Sequence, residues 1–293
     1  MSFSSEIKQE LNKNSNLANK EIVKYELIGY LISGNIDLES KKQIKFSTES
    51  DYNINRFSKL LNNLDVEHNI EMVGKNFVIK VKTKDIYEID IFYEKEIILK
   101  ENIIEQKEEC LKAIIRGTFM GSGSINNPEK KYHMEIGFNY EENLEIVIKI
   151  LGKLGITAKK MVTQNKYYMY IKEGEEISRF IALIGANKAV MKFEDIRIQR
   201  EMRGKVNRLV NCETANLNKT INASIEQIAA IKALQRTGEF NKLDDNLKEI
   251  AYLRIENPDM ALIELGKLLK NPVGKSGVNY RLKKIMELAK SCH

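Results

Sequence analysis

The chain is poor in the residues that build disulfide-stapled or metal-stapled folds. Its 293 residues include three cysteines and three histidines. Cys110, Cys212 and Cys292 lie far apart, with no C-x-x-C or Cys/His cluster, so neither a disulfide framework nor a zinc site is suggested. His68, His133 and His293 are equally scattered, and no Ser/His/Asp arrangement can be read from them. Ser122-Gly123-Ser124 lacks the Lys that follows in a phosphate-binding loop. No apolar run reaches the roughly 18 residues of a membrane helix. Residues 1–13 are polar and charged, which argues against a signal peptide. A cytoplasmic chain is expected.

The length exceeds one average domain, so two or three are expected. A hydrophobic content of 43% supports a sizeable core. Net charge is +6, and its placement is uneven. Residues 188–293 hold 20 Lys+Arg against 13 Asp+Glu, whereas residues 1–187 hold 27 against 28. The positive charge sits in the last third, where a polyanionic partner is permitted.

Two apolar segments carry small residues four apart: Gly29 with Ser33 in L-I-G-Y-L-I-S-G-N, and Gly117 with Gly121 in I-R-G-T-F-M-G-S-G. That spacing lines one side of a helix and lets two backbones approach closely. Downstream, an internal match settles at an offset of 90: Leu61, Leu64 and Val66 correspond to Leu151, Leu154 and Ile156, and Ile44, Phe46 and Thr48 to Met134, Ile136 and Phe138. Each half reads helix, strand, helix, strand, strand, helix. Helices are predicted over 20–33, 51–64, 84–92, 105–120, 141–154 and 175–184. Strands are predicted over 43–47, 70–72, 77–81, 132–138, 158–162 and 166–171, with hairpin turns at 74–76 and 163–165.

A helix over 188–208 follows, with Arg197, Arg200 and Arg208 near one side. It either lines a phosphate backbone or is a solvated face ion-paired with Glu194, Asp195 and Glu201. The Asn-rich segment 211–223 reads as a linker or capped turn. Helices are then predicted over 224–237, with Ser224 and Gln227 as a capping box, and over 246–256, 261–269 and 276–289. The last two have the size of a helix-turn-helix, with Ser276 as N-cap. Val278, Leu282, Ile285 and Ala289 form its buried stripe. The other face offers Lys275, Ser276, Asn279, Tyr280 and Lys283, flanked by Arg281 and Lys284. Asn can bond adenine bidentately, and Lys can reach guanine acceptors or phosphates. Strand lysines 45, 80, 82, 159, 160 and 166 offer a second DNA-facing surface, opposed by Glu71 and Glu135. A protein-contact or ligand-responsive role for that sheet stands beside it.

The two glycine-bearing helices resemble those of LAGLIDADG homing endonucleases. That family ends each helix with a metal-binding acid just before the final Gly; here those positions are Gly34 and Ser122. The nearest acids, Asp37 and Glu129, stand off them. Across the full chain the sequence resembles the WhiA family of sporulation-associated transcription regulators. The resemblance rests on 256–289 (E-N-P-D-M-A-L-I-E-L-G-K-L-L, a turn, then K-S-G-V-N-Y-R-L-K-K-I-M-E-L-A), on 207–220 (N-R-L-V-N-C-E-T-A-N-L-N-K-T) and on 115–136. Tyr280 stands where that family usually has His.

The resemblance implies an α+β chain: a duplicated LAGLIDADG-like domain of two αββαββα-type halves (1–95 and 96–208), a linker (209–222) and an all-α helix-turn-helix domain (223–293). It implies a bacterial regulator of sporulation or cell division that reads promoter DNA, sits at the nucleoid and needs no cofactor or metal. Another regulatory protein or a sigma factor is a second expected partner, and no membrane is involved. A residual metal-dependent endonuclease and a division-associated interaction module stay open as alternatives.

Overall fold

The computed structural model describes residues 2–13, 17–33, 36–40, 43–86, 92–93, 96–163 and 166–291. They form two compact units, Met1–Glu201 and Met202–His293.

The first unit opens with α1 (Phe3–Lys13), followed by α2 (Lys20–Ile32), β1 (Ile36–Ser40), β2 (Gln43–Thr48), α3 (Asp51–Asn63), β3 (Asn69–Val73) and β4 (Asn76–Lys82). A small pair, β5 (Phe92–Tyr93) and β6 (Glu96–Ile97), precedes the second half. That half comprises α4 (Glu108–Ser122), β7 (Ser124–Ile125), β8 (Met134–Phe138), α5 (Glu141–Lys153), β9 (Lys159–Thr163), β10 (Lys166–Ile171) and α6 (Gly174–Leu183). The duplication is reproduced in topology: the antiparallel sheets run β1-β2-β4-β3 and β7-β8-β10-β9. It is also reproduced in backbone detail. Asp65 (φ 58°) and Gly155 (φ 77°), 90 residues apart, are both left-handed residues that stop a helix. After each, an amide reaches back to the helix: Val66 N to Leu61 O at 3.0 Å, Ile156 N to Leu151 O at 2.9 Å.

Helices α2 and α4 form the seam between the halves. Both are apolar nearly all round, because each packs on its partner helix and on a sheet. The sheets meet at the seam's end through a bridge from Ser33 to Phe138, and Asn139 Nδ2 donates to Ile36 O at 3.2 Å. A continuous core, including Leu27, Tyr30, Phe46, Phe57, Phe119, Phe138 and Phe180, fills the unit.

One buried ion network lies beside the seam. Arg56 grips Glu26 with both prongs, Nε to Oε1 at 2.8 Å and Nη2 to Oε2 at 2.9 Å. Arg116 adds Nη1 to the same Oε2 at 3.0 Å. Burial pulls the Arg56 pKa down, but the hydrogen bond and charge of Glu26 more than reverse it. Burial and the Glu26 charge push the Tyr30 phenol well up.

Several expectations need correction. Helix α1 was not foreseen, although Phe3, Ile7 and Leu11 bury one face at four-residue steps. Strands β1 and β7, absent from the segment-by-segment strand reading, supply the second strand before the middle helix that the αββαββα pattern implies. The helix expected over 84–92 is a 3-10 turn at Thr83–Asp85, and Phe92 opens β5; residues 87–91 lie outside the described ones. Gln164 and Asn165 of the second hairpin turn lie outside them too.

Helix α7 (Asn187–Thr237) is continuous through residues 209–222, expected as a linker or turn. Thr220 Oγ1 donates to Asn216 O at 3.0 Å, the one-turn-back bond of a helical threonine. Ser224 is therefore interior to the helix, not an N-cap. In the second unit, α8 (Asp245–Glu256), α9 (Leu262–Leu268) and α10 (Lys275–Ser291) pack with the end of α7 around Ile231, Leu234, Leu247, Ile250, Leu265 and Leu282.

Candidate nucleic-acid interface

Helix α10 is held from below by one stripe. Val278, Leu282, Ile285 and Ala289 are buried, facing Leu265 of α9 and Ile250 of α8. The turn from α9 to α10 folds directly onto α9: Val273 N donates to Gly266 O at 3.1 Å, and a Cβ on Gly266 would strike Val273 O. Only glycine permits that approach. Lys270 N donates to Glu249 Oε1 at 2.7 Å, tying the turn to α8.

The remaining face is open. Lys275, Ser276, Asn279, Tyr280, Lys283 and Lys284 are exposed, Tyr280 at 69%, and Arg281 is half-buried. Among the described residues, Lys275, Arg281, Lys283 and Lys284 have no ion-pair partner. The helix begins at Lys275, so Ser276 lies within its first turn and is not its N-cap, as the sequence had suggested. A helix whose outward first turns carry unpaired cations, an amide and a phenol can meet phosphates and base edges together.

The arginine stripe of α7 divides. Arg197 is paired with Glu194 at 2.8 Å, and Gly174 lies against its side chain. Arg200 donates to Pro128 O at 2.6 Å and lies over the Tyr132 ring at 4.3 Å. Both are half-buried in the first unit, whereas Arg208, in the second unit, is exposed. The strand lysines are partly engaged: Lys160 pairs with Glu145 at 3.0 Å and Glu141 at 3.4 Å, and Lys159 with Glu173 at 3.9 Å.

At the seam, a Cβ on Gly29 would meet Ile114 O and the backbone of Gly117, and one on Gly117 would meet Glu26 O. A Cβ on Gly121 would meet Ser33 Oγ, which donates to Tyr30 O at 3.0 Å. At the helix end, Ser122 Oγ donates to Gly137 O at 2.8 Å, so its hydroxyl is committed to the sheet. Gly34 lies outside the described residues. Asp37 and Glu129 are exposed, on β1 and in the loop before β8. Among the described residues no group of three or more His, Cys, Asp or Glu could hold a metal ion, and no helix is long and apolar enough to cross a membrane.

Sequence reasoning missed Arg254 and read Gln227 only as part of a capping box; both are buried polar residues behind α10. Their significance comes only from what surrounds them.

The chain matches the family model described as the WhiA LAGLIDADG-like domain over residues 27–92 and 111–203. It matches the WhiA C-terminal HTH domain over 206–289. It is 38% identical over 310 residues to a "Probable cell division protein WhiA" of Clostridium botulinum (strain Hall), covering 99% of this chain and 98% of that relative. It is 39% identical to the protein of the same name from Oceanobacillus iheyensis, covering 99% and 97%. The crystal structure of full-length WhiA from Thermatoga maritima superposes with a TM-score of 0.61 at 30% identity, covering 99% of each chain. A structure of the N-terminal LAGLIDADG domain of WhiA gives 0.52 at 27% identity, covering 63% of this chain and 93% of that one. With both parts of the architecture matched in order and relatives aligned end to end, this chain belongs to the WhiA family.

Proposed function

We propose that the chain is a sequence-specific DNA-binding transcription regulator of cell division, with sporulation and chromosome segregation in its range. Its DNA reader is α10. The observation that carries this reading is the two-sided character of that helix: one stripe is locked in a core, while the opposite face presents four cations, unpaired among the described residues, around Asn279 and Tyr280. Lys275, Asn279 and Lys283 approach bases, Ser276 and Tyr280 flank them, and Arg281 and Lys284 hold phosphates; Arg208 adds a further phosphate contact. Arg197 and Arg200, each bonded inside the first unit, contribute to positioning rather than to affinity. The relatives' names supply the link to cell division. Such a protein works at promoter DNA in the nucleoid of the cytoplasm.

In this reading the first unit is a scaffold that does not cut, since Ser122 offers no carboxylate and spends its hydroxyl on Gly137. It also serves a protein partner, such as a second regulator or a sigma factor. The outer strands β3 and β9 occupy equivalent positions in the two halves and expose Met72 (67%), Val73 (59%) and Val162 (55%). Apolar side chains exposed on an outer strand are a contact surface for protein rather than for phosphate.

The test is fluorescence anisotropy with pure protein, comparing a duplex recovered by genome-wide footprinting with a scrambled one across a salt series. The expected result is at least about a thousandfold preference, with affinity falling steeply as salt rises. Equal affinity for both duplexes overturns the reading. Magnesium-dependent nicking of supercoiled plasmid would overturn the non-cutting scaffold.

A further inference from the structure

Gln227 and Arg254 of the second unit are buried to 6% and 1% exposure, yet Gln227 Oε1 and Arg254 Nε have no hydrogen-bond partner among the described residues. Arg254 Nη1 donates to three carbonyls at the end of α8, those of Asn257 (3.3 Å), Pro258 (3.3 Å) and Met260 (2.8 Å). All three are neutral, and no carboxylate pairs with this guanidinium among the described residues. A buried charge is normally paired, because desolvation without a counter-ion costs several kcal/mol.

Both side chains line a cavity of about 250 Å³, completed by Lys219, Leu262, Lys275 and Asn279. Every ionisable group in its wall is a cation: Lys219, Arg254 and Lys275. Lys275 opens α10, a 17-residue helix whose amide end carries partial positive charge. The cavity is smaller than the roughly 300–1,000 Å³ that drug-sized ligands need. Its volume and charge suit one tetrahedral oxyanion with some water.

We infer that this cavity behind the first turn of α10 is a phosphate-binding site. The phosphate comes either from the backbone of a bound duplex or free from solution. Its three cations supply charge-assisted hydrogen bonds, and Arg254 gains a counter-ion that no described residue provides. Lys275 and Asn279 belong both to this wall and to the proposed reading face, so filling the cavity fixes two readers at once. The phosphate chemistry itself does not rest on the DNA reading.

The experiment is thermal unfolding of the full chain, titrated with inorganic phosphate against sodium chloride at matched ionic strength. Gln227→Glu is the key variant, because it puts a carboxylate into the same cavity as Arg254. The wild type is expected to gain Tm with phosphate beyond the general salt effect. The variant is expected to start at a higher Tm in chloride and to lose the phosphate-specific gain. Should Gln227→Glu fail to fold, the exposed Lys219→Gln serves instead, with apparent phosphate affinity falling about tenfold, the worth of one charge-assisted hydrogen bond.

Duplex titrations of the same proteins separate the sources. If phosphate leaves wild-type Tm unchanged but the variant's salt slope for duplex falls by about one, the occupant is a backbone phosphate. Identical phosphate responses together with identical salt slopes in wild type and variant overturn the site. A wild type that gains phosphate-specific Tm yet binds no duplex refutes the DNA reading and leaves the site standing.

Discussion

Gly29 and Gly117 face each other so closely that a Cβ built on Gly29 would stand 2.8 Å from the Cα of Gly117, and one on Gly117 would stand 2.9 Å from the Cα of Gly29. The two helices of the duplicated unit therefore touch backbone to backbone. Replacing either glycine by alanine must push the helices apart and disturb both sheets hung from them. Gly117→Ala is expected to cost about 2–3 kcal/mol or more, measured by urea denaturation. A change under about 0.5 kcal/mol would show that the seam is looser than described.

Gly121 makes a softer contact, since the obstacle to a Cβ there is the side chain of Ser33. Gly121→Ala alone is expected to destabilise. Combined with Ser33→Ala, much of that cost should be recovered, giving a coupling of about 1 kcal/mol in a double-mutant cycle. Additive effects would break the proposed contact.

Glu26 is shared by Arg56 and Arg116. Its replacement by Gln removes the charge that Arg56 grips with both prongs, and the expected loss is about 3–5 kcal/mol. Retention of near wild-type stability by Glu26→Gln would show that this buried pair contributes little to the fold.

Lys8 lies with Nζ 5.6 Å from the Phe119 ring centroid, and burial lowers its pKa from 10.5 to about 8. Between those values the unfolded chain holds a proton that the folded chain has released. Stability should therefore rise as pH increases from about 8 toward 10.5, and the cost of the buried charge is fully present below about pH 8. Lys8→Met is expected to stabilise by about 2 kcal/mol at pH 7. Its advantage should vanish near pH 10.5. An advantage independent of pH in Tm measurements would assign the gain to packing instead.

Ser224 discriminates between two chain paths. As the N-cap of a separate helix it would lose about 1 kcal/mol on replacement by Ala. As an interior residue of α7 whose buried Oγ has no partner among the described residues, Ser224→Ala should stabilise by about 0.5–1 kcal/mol. Calorimetry gives the sign, and a loss would restore a helix start at this point.

On α10, Asn279→Ala should relax specificity by about 1–3 kcal/mol at one base position. Lys284→Gln should weaken binding on all duplexes and flatten the salt slope by about one. Arg200→Ala should leave the slope unchanged and lower Tm, because its guanidinium is spent on Pro128 O and Tyr132. Unaltered discrimination, an unaltered slope and an unaltered Tm, respectively, would count against these assignments.

The duplication, the small-residue seam and the buried stripe of α10 are legible in the residues alone. The duplication shows as a repeat at an offset of 90, and the seam and the stripe as local periodicities: residues three and four apart share a helix face whatever else the chain does. Its reading failed where composition and context disagreed. An Asn-rich stretch has weak helix propensity, yet residues 209–222 continue α7. Helix α1 is polar by count, and its three apolar positions gain meaning only against a core.

Meetings between residues far apart in the chain come from its packing in three dimensions. Glu10 caps the start of α7, accepting from Lys188 N at 2.8 Å and Ala189 N at 3.0 Å across nearly the whole first unit in sequence. Asn143 joins Leu99 N and Ile97 O, and Arg254 finds carbonyls and a cationic cavity instead of a carboxylate. Such pairings depend on which elements the collapsed chain brings together, and no spacing along the sequence encodes that distance.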